Sequence, residues 1–239
     1  MGEVFDGFGM VCMAHFLGEP SNHVTERDDG YVNEVDGAYY FRSFEGWPEY
    51  EQRGIQEARG RVLDVGLGAG RHSLWLQERG HEVVGIDISP LALEVSRLRG
   101  VRDCRLMDVR EMAFPDASFG TVLLLGANLG IMGDVDEIRG ALEGLHRVTA
   151  EDGIIVGSSR DPIKTEDPAH LAYHEMNRRR GRPPGLVRIR IGFRGKFGEW
   201  FHMLWMSQEE LAEIIEPTGW NISKVFSSGP DYVAVLGKG

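Results

Sequence analysis

The chain has 239 residues, of which 42% are hydrophobic and 26% are charged, and its formal net charge is −11. This length predicts one α/β domain with added segments. The negative balance disfavours broad binding to nucleic acid or to an anionic membrane. No stretch reaches the roughly 18 apolar residues of a membrane helix, and the two cysteines, Cys12 and Cys104, fit no zinc spacing. We therefore expect a cytoplasmic protein with reduced thiols, no bound metal and no membrane contact.

Residues 1–60 show no clear periodicity and are predicted to form a cap or lid of helices and loops. From residue 61 onward, short apolar runs alternate with amphipathic segments, which is typical of a parallel sheet. Strands are predicted at Arg61–Val65, Glu82–Ile86, Asp103–Met107, Phe119–Leu125, Gly153–Ser158, Asn221–Phe226 and Tyr232–Leu236. Helices are predicted at Arg71–Arg79, at Pro90–Leu98 after an N-cap at Ser89, at Val135–Val148, and from the capping box of Ser207 and Glu210 to about Pro217.

The regular alternation stops after residue 160. The stretch Asp161–Gly185 is predicted to be irregular or helical, and Leu186–Phe193 and Glu199–Trp205 are predicted to pair as an added hairpin that turns at Arg194–Gly198.

The strongest signal is an apolar strand that runs into three alternating glycines, Gly66, Gly68 and Gly70, ahead of a helix. Glycine lets the backbone turn sharply and approach a ligand closely, and a helix N-terminus offers free N–H groups. The dinucleotide fingerprint G-x-G-x-x-G would need its third glycine at the position of Arg71. Asp64, inside the end of the strand, would repel a phosphate but would suit an ammonium group. The loop therefore favours a ligand with an amino group over a dinucleotide.

Two further aspartates end the next two predicted strands. Asp87 lies where an acid can accept hydrogen bonds from two ribose hydroxyls. Asp108 can accept from the exocyclic amine of adenine, while the backbone N–H of Val109 donates to the ring and Ile88 packs on it. Ligands of open α/β sheets bind at the carboxyl ends of the strands. The pattern predicts a ligand with an amino acid at one end, a ribose in the middle and an adenine beyond.

The arrangement over residues 61–239 resembles the class I S-adenosylmethionine-dependent methyltransferases. The resemblance implies a Rossmann-like α/β fold, with a seven-stranded sheet that is parallel except for one antiparallel strand and helices on both faces. It also implies that the loop from Asp64 to Gly70 holds the methionine part of S-adenosyl-L-methionine, Asp87 the ribose and Asp108 the adenine. The family's fourth motif corresponds to Leu123–Gly130, where we count Leu125 among the cofactor-binding residues. That stretch lacks the Asn/Asp-Pro-Pro-Tyr and Pro-Cys motifs of DNA methyltransferases.

The resemblance suggests a division of the chain into four parts. An N-terminal cap or lid covers 1–60, and the cofactor-binding half of the α/β domain covers 61–160. An inserted substrate-pocket segment covers 161–206, and a C-terminal helix and strand pair at 207–239 completes the sheet.

Three side chains are candidates for catalysis or for contact with the methyl acceptor. Asn128 follows the fourth strand of the sheet, His174 shares a predicted helix face with His170, and His202 lies in an aromatic strand. Each also has a plainer interpretation: a loop residue for Asn128, a solvent-facing residue for His174 and a packing residue for His202. The histidine pair could bind a metal only with a third ligand, which the sequence does not indicate.

Candidate acceptor-binding residues are Arg160, Arg179 and Trp200. The cationic run Arg178–Arg182, which includes Arg179, is either a solvated surface or a site for an acidic substrate group. Arg71 and His72 are either functional or surface residues, and the aromatic residues within 31–50 form either a lid over the cofactor or a satellite hydrophobic cluster.

The expected function is methyl transfer from S-adenosyl-L-methionine to a small-molecule acceptor. A methyl group on a sulfonium is already electrophilic, so the protein must mainly position the acceptor and exclude water. A general base is needed only if the acceptor must lose a proton. An RNA or protein methyltransferase and a non-catalytic S-adenosylmethionine-binding module remain as alternatives, and a second copy of the chain is a candidate partner.

Overall fold

The computed structural model describes residues 5–239, so residues 1–4 of the predicted cap lie outside the described part. The segment 5–60 contains helix α1 (Gly7–Phe16), the hairpin of β1 (His23–Arg27) and β2 (Val32–Val35), 3₁₀ segments at 37–41 and 44–46, and helix α2 (Glu49–Ile55). The prediction of helices and loops missed the hairpin, because its strands are short and β2 is mostly exposed.

The α/β unit follows and agrees with the predicted elements to within a few residues. Its elements are β3 (Val62–Val65), α3 (Arg71–Glu78), β4 (Val83–Asp87), α4 (Pro90–Leu98), β5 (Cys104–Leu106), β6 (Phe119–Leu124), α5 (Val135–Val148) and β7 (Thr149–Arg160). The Ser89 hydroxyl accepts a hydrogen bond from the backbone N–H of Ala92 at 3.0 Å, which confirms the predicted N-cap of α4.

The remaining elements are α6 (Pro168–Arg179), β8 (Leu186–Phe193), β9 (Lys196–Phe197), β10 (Phe201–Leu204), α7 (Gln208–Ile215), β11 (Trp220–Ser228) and β12 (Asp231–Lys238). The capping box at the start of α7 is confirmed: the Ser207 hydroxyl accepts from the N–H of Glu210 at 3.1 Å, and the Glu210 carboxylate accepts from the N–H of Ser207 at 2.8 Å.

The main sheet has seven strands in the order β11-β12-β7-β6-β3-β4-β5. Strand β12 runs antiparallel to both of its neighbours, and the other neighbouring strands are parallel. This confirms the predicted fold class. The chain first moves from β3 outward to β5 and then returns to β6 on the other side of β3, so the strand order reverses between β3 and β6. Open sheets bind ligands at such a reversal, beyond the carboxyl ends of the strands.

A second, antiparallel sheet of five strands combines two separate parts of the chain. Its strand order is β10-β8-β1-β2, and β9 also pairs with β8. The predicted pairing of Leu186–Phe193 with Glu199–Trp205 is confirmed by the register of Val187 with Met203, although β10 is shorter than predicted and β9 occupies part of the predicted turn. The partner that the prediction omitted is β1, which pairs with β8 from the N-terminal segment.

Apolar side chains on both faces of the main sheet form its core. One cluster joins the sheet to α5 and α7 around Trp220, which is fully buried and donates its indole N–H to the carbonyl of Leu142 at 3.1 Å. The other joins the opposite face to α2 and α3 through Ile55 and Leu76. A sheet covered on both faces fits its nearly continuous apolar strands.

Candidate functional site

The glycine loop between β3 and α3 has a backbone conformation that glycine favours. Gly66 and Gly68 have φ values of 68° and 56°, which side-chain-bearing residues rarely adopt. A Cβ added at Gly66 would lie 2.6 Å from Nδ2 of Asn128, and one at Gly68 would lie 3.3 Å from the ring of Phe8. The absence of side chains therefore lets Asn128 and Phe8 approach the loop closely at the carboxyl end of β3.

Asp87, at the end of β4, is joined directly to this loop. Its Oδ2 accepts a hydrogen bond from the N–H of Gly68 at 2.9 Å, and its Oδ1 accepts from the N–H of Ser89 at 2.9 Å. The residue is 8% exposed, and burial raises the pKa of its carboxyl group. The next residue, Ile88, is 69% exposed. An apolar side chain left open beside a buried acid suits the edge of a binding cleft.

Asp108 follows β5, next to Asp87. The backbone N–H of Met107 donates to the carbonyl of Asp87 at 3.1 Å, which keeps the two strand ends together. Arg110 donates to the Asp108 carboxylate through Nε at 3.0 Å and Nη2 at 2.5 Å, and this contact holds the pKa of Asp108 below its usual range. Val109 is half-buried at the start of a 3₁₀ turn.

Asp64 lies on the neighbouring strand but has little contact with solvent. It is 2% exposed, its Oδ2 accepts a hydrogen bond from the Ser73 hydroxyl at 2.6 Å, and burial raises the pKa of its carboxyl group. The three predicted acids thus end adjacent strands at one edge of the sheet, in the order Asp64, Asp87 and Asp108. Direct contact between Asp64 and an ammonium group stays a prediction.

Asn128 follows β6, the strand next to β3, and contacts the start of the glycine loop. Its Nδ2 donates to the carbonyls of Val65 and Gly66 at 2.9 and 3.1 Å. Its neighbour Ala127 has a φ of 70°, an uncommon value for a residue with a side chain, and its N–H donates to the Ser158 hydroxyl at 2.7 Å. The backbone after β6 is therefore fixed from both sides at the sheet edge.

The other predicted residues differ in their surroundings. Leu125 is 2% exposed in the core cluster of α2 and α3. Arg160, at the end of β7, is paired with Asp231, with its Nε 2.7 Å from Oδ1 and its Nη2 3.0 Å from Oδ2. The hydrogen bond with Asp231 raises the pKa of Arg160, and the nearby Tyr50 and Tyr39 add to this shift.

Four candidates for acceptor contact or catalysis lie in the 161–206 segment. Arg179 has a side chain that is 77% exposed and pairs with Glu175 on its own helix. The ring of Trp200 lies under the guanidinium group of Arg190 at 4.6 Å. His202 is half-buried, and His174 is buried with no hydrogen-bond partner on Nδ1 within residues 5–239. Their functional roles stay predictions.

Helix α1 contacts the glycine loop, a contact that the sequence did not reveal. Asp6 accepts from the N–H of Gly9 at 2.8 Å and from the Ser89 hydroxyl at 2.7 Å, so one carboxylate links the starts of α1 and α4. The Phe8 ring lies over Gly68 and packs edge-on against Tyr40 at 4.9 Å. An Asp-x-x-Gly sequence is too common to have identified this helix cap as part of a site.

A buried ionic cluster joins α2 to the first turn of α3. Oε1 of Glu51 lies 2.8 Å from Nη2 of Arg71 and 2.7 Å from Nε2 of His72. Burial alone would raise the pKa of Glu51, but the contacts with His72 and Arg71 outweigh it and hold that pKa below its usual value. The ring of Trp47 lies 4.8 Å from that of His72, edge to face. The aromatic segment therefore packs against the helix that follows the glycine loop.

Comparison with known proteins relates both the α/β unit and the whole fold to methyltransferases. Residues 63–157 match the family model described as a methyltransferase domain. The whole fold is similar to the crystal structure of an S-adenosylmethionine-dependent methyltransferase from Bacteroides fragilis in complex with S-adenosyl-L-homocysteine. That likeness has a TM-score of 0.83 and 27% identity and covers 99% of this chain and 98% of the other. Residues 63–157 therefore form a methyltransferase domain, and the whole chain has the class I fold of S-adenosylmethionine-dependent methyltransferases.

Two curated relatives of this chain are named for different small molecules. A demethylmenaquinone methyltransferase of Tropheryma whipplei is 34% identical over 116 residues, which is 47% of each chain. A 2-heptyl-1-hydroxyquinolin-4(1H)-one methyltransferase of Mycobacteroides abscessus is 33% identical over 73 residues, which is 28% of this chain and 32% of the other. The chain spans about half the length, or less, of the curated relatives it matches.

The residues at the sheet edge fit an adenosyl cofactor of this kind. The glycine loop, the buried Asp87, the partly exposed Asp108 and the exposed Ile88 follow one another along three adjacent strand ends. In residues 5–239, no three His, Cys, Asp or Glu residues are grouped so that they could hold a metal ion. Over the same residues, the structure has no helix of the length and apolar character that crossing a membrane requires.

Proposed function

We propose that this chain transfers the methyl group of S-adenosylmethionine to a small-molecule acceptor. The observation that carries the proposal is the direct link between Asp87 and the glycine loop, in which the carboxylate accepts the Gly68 N–H at 2.9 Å. This bond fixes the end of β4 against the loop of β3 where the strand order reverses. The small-molecule class of acceptor is supported by the curated relatives, whose names refer to a quinone precursor and a quinolone.

Each cofactor-binding residue has one proposed role. The loop Gly66–Gly70 would hold the methionine part and Asp87 the ribose hydroxyls. Asp108 and the Val109 N–H would bind the adenine, and Ile88 would cover one face of the ring. Leu125 supports the loop from the core, since it is 2% exposed.

The bound cofactor supplies a methyl group on a positively charged sulfur, which needs no further activation. The protein's own contribution is to place the acceptor in line and to keep water away. Asn128 and Ala127 form the rigid backbone beside the glycine loop. Ala127 packs against the apolar cluster of Tyr173, Val187 and Met203 from the inserted segment. That segment is therefore the proposed wall of the acceptor pocket.

Among the polar candidates for acceptor contact, Arg160 is supported best. It ends β7 at the same edge of the sheet as Asn128, and two tyrosines share its surroundings. We propose Arg160, Tyr39 and Tyr50 as acceptor contacts. His174, His202, Arg179 and Trp200 remain weaker candidates. Arg179 pairs with Glu175 and Trp200 lies against Arg190, and both contacts are within the inserted segment.

We also propose a reducing, cytoplasmic location, which is supported by the free thiols of Cys12 and Cys104. A homodimer is the proposed assembly, and sedimentation equilibrium of the purified chain tests it.

The direct test is a transfer assay with S-adenosylmethionine labelled in its methyl group. The chain is incubated with hydroxyl, amine and carboxylic acid acceptors in separate pools, and with tRNA and a protein extract. We expect label in a small-molecule pool. Label in tRNA or protein alone would contradict the proposed acceptor class, and cofactor binding without any transfer would favour a non-catalytic module.

A further inference from the structure

The guanidinium group of Arg71 is buried and only partly satisfied. The residue is 8% exposed, and its Nη2 lies 2.8 Å from Glu51. Its Nη1 is buried and has no hydrogen-bond partner among residues 5–239. A buried charged donor without a partner is unfavourable, because it has lost its contact with water and gained nothing in exchange. A ligand that accepts a hydrogen bond from this donor would explain why it is buried without a partner.

Arg71 lies at the end of the cofactor loop where an amino acid would bind. It follows Gly70 directly and is the first residue of α3. A Cβ added at Gly126, just beyond β6, would lie 4.0 Å from its Nη2. Burial raises the pKa of Asp64, and the positive charge of Arg71 partly opposes that shift, so the two charges act on each other. An acid and a base thus lie close together beside the glycine loop.

We propose that Nη1 of Arg71 binds the α-carboxylate at the amino-acid end of S-adenosylmethionine. This inference rests on the proposed function. The amino acid end of that ligand is a zwitterion, which needs an acidic partner for its ammonium group and a basic partner for its carboxylate. Asp64 supplies the acid and Arg71 the base. Guanidinium groups suit carboxylates because their N–H donors lie in one plane.

Glu51 acts here as a positioning residue. It holds Nη2 of Arg71 from α2 and leaves Nη1 available. The rings of Tyr39 and Trp47 flank the guanidinium, with centroids 5.0 and 5.5 Å from its central carbon. Trp47 is 4% exposed whereas Tyr39 is half-buried, so Tyr39 is the more accessible of the two rings.

The first test needs no variant. Calorimetry compares S-adenosylhomocysteine with its decarboxylated analogue, in which only the carboxylate is missing, and with 5′-methylthioadenosine, which lacks the whole amino-acid end. We expect the wild type to bind S-adenosylhomocysteine roughly 10- to 100-fold more tightly than the decarboxylated analogue, the effect of one charge-assisted hydrogen bond. Equal affinity for these two ligands would overturn the inference.

The second test assigns that difference to Arg71. Arg71→Gln should weaken binding of S-adenosylhomocysteine by the same factor and leave the affinity for 5′-methylthioadenosine unchanged. Arg71→Lys should restore part of the loss, because lysine keeps the charge but not the planar donors. Arg79→Gln, at the other end of α3, removes an equal charge and should change neither affinity.

Each outcome has one interpretation. If the wild type does not bind S-adenosylhomocysteine, the proposed function itself fails. If the wild type binds it and Arg71→Gln leaves the preference over the decarboxylated analogue intact, the carboxylate has another partner and the inference is wrong. Should Arg71→Gln fail to fold, the double variant Glu51→Gln/Arg71→Gln removes both buried charges together, and its binding of 5′-methylthioadenosine reports that the site is intact.

Discussion

Asp87 is a proposed binding residue whose charged form is disfavoured by burial in the fold. Burial raises the pKa of its carboxyl group, so the folded chain disfavours the charge that a ribose would need. Two backbone N–H groups, from Gly68 and Ser89, hydrogen bond to the carboxylate and favour its charged form. A buried acid with unused acceptor capacity at a cleft is typical of a binding residue and unusual in a structural one.

Replacing Asp87 should therefore affect binding more than folding. We expect Asp87→Ala to weaken binding of S-adenosylhomocysteine on the order of 100-fold, since hydrogen bonds from both ribose hydroxyls to a charged acceptor are lost. Calorimetry measures the dissociation constant, and the circular dichroism spectrum should remain that of the wild type. An unchanged dissociation constant would refute the ribose role. Asp103→Ala, which changes a half-buried acid paired with Arg105, is the matched control.

Glu51 makes the stability of the fold depend on pH. The pKa of its carboxyl group is lowered in the folded chain, so this group stabilises the fold above its ordinary pKa of about 4.3. That contribution is lost as the pH falls through the lower value of the folded state. At neutral pH the charged Glu51 compensates the buried charge of Arg71.

Glu51→Gln should therefore reduce the free energy of unfolding at pH 7 by about 3–5 kcal/mol, the usual effect of breaking a buried ion pair. The difference from the wild type should shrink as the pH falls below about 4.3, because Glu51 then takes up a proton in the unfolded wild-type chain before it does so in the folded one. Urea denaturation between pH 7 and pH 3.5 measures both. A difference that stays constant over this range would show that the charge of Glu51 contributes nothing.

At the scale of elements, helix α1 and helix α4 begin at a shared carboxylate. Asp6 caps α1 and also accepts from the Ser89 hydroxyl and from the N–H of Leu91, at 2.7 and 3.2 Å. Negative charge is favourable at both helix starts, because each presents free N–H groups. The link holds Phe8 of α1 over the glycine loop.

Asp6→Ala should destabilise the chain by about 1–2 kcal/mol, at the upper end for an N-cap because two helices lose the same acceptor. Asp6→Asn keeps one acceptor oxygen and should lose less. The unfolding temperatures of the two variants show which substitution destabilises the chain more. If both variants unfold at the wild-type temperature, the contacts of Asp6 with the two helices contribute no measurable stability.

In the whole molecule, the main sheet could be predicted because the sequence of each segment by itself indicates the strand or helix that it forms. Each of its parallel strands is a short apolar run, and the helices between them carry caps such as Ser89 and Ser207. The second sheet could not be predicted in full. Strand β1 pairs with β8, which lies far along the chain, and nothing in the polar sequence of β1 indicates a partner so distant.

The same contrast applies to the site. The glycine loop, Asp87 and Asp108 follow from spacing, because each ends or follows a recognisable strand. The cluster of Glu51, Arg71 and His72 does not, because Glu51 belongs to an aperiodic segment that reaches α3 only through tertiary packing. Nor does spacing reveal that Asp64 turns toward Ser73.

We propose that these strand ends bind an adenosyl amino acid and not a dinucleotide. The most direct measurement is calorimetric titration of the wild-type chain with S-adenosylhomocysteine and, separately, with NAD⁺. We predict saturable binding of S-adenosylhomocysteine with one ligand per chain and no binding of NAD⁺. Tight binding of NAD⁺, or no heat with S-adenosylhomocysteine, would contradict it.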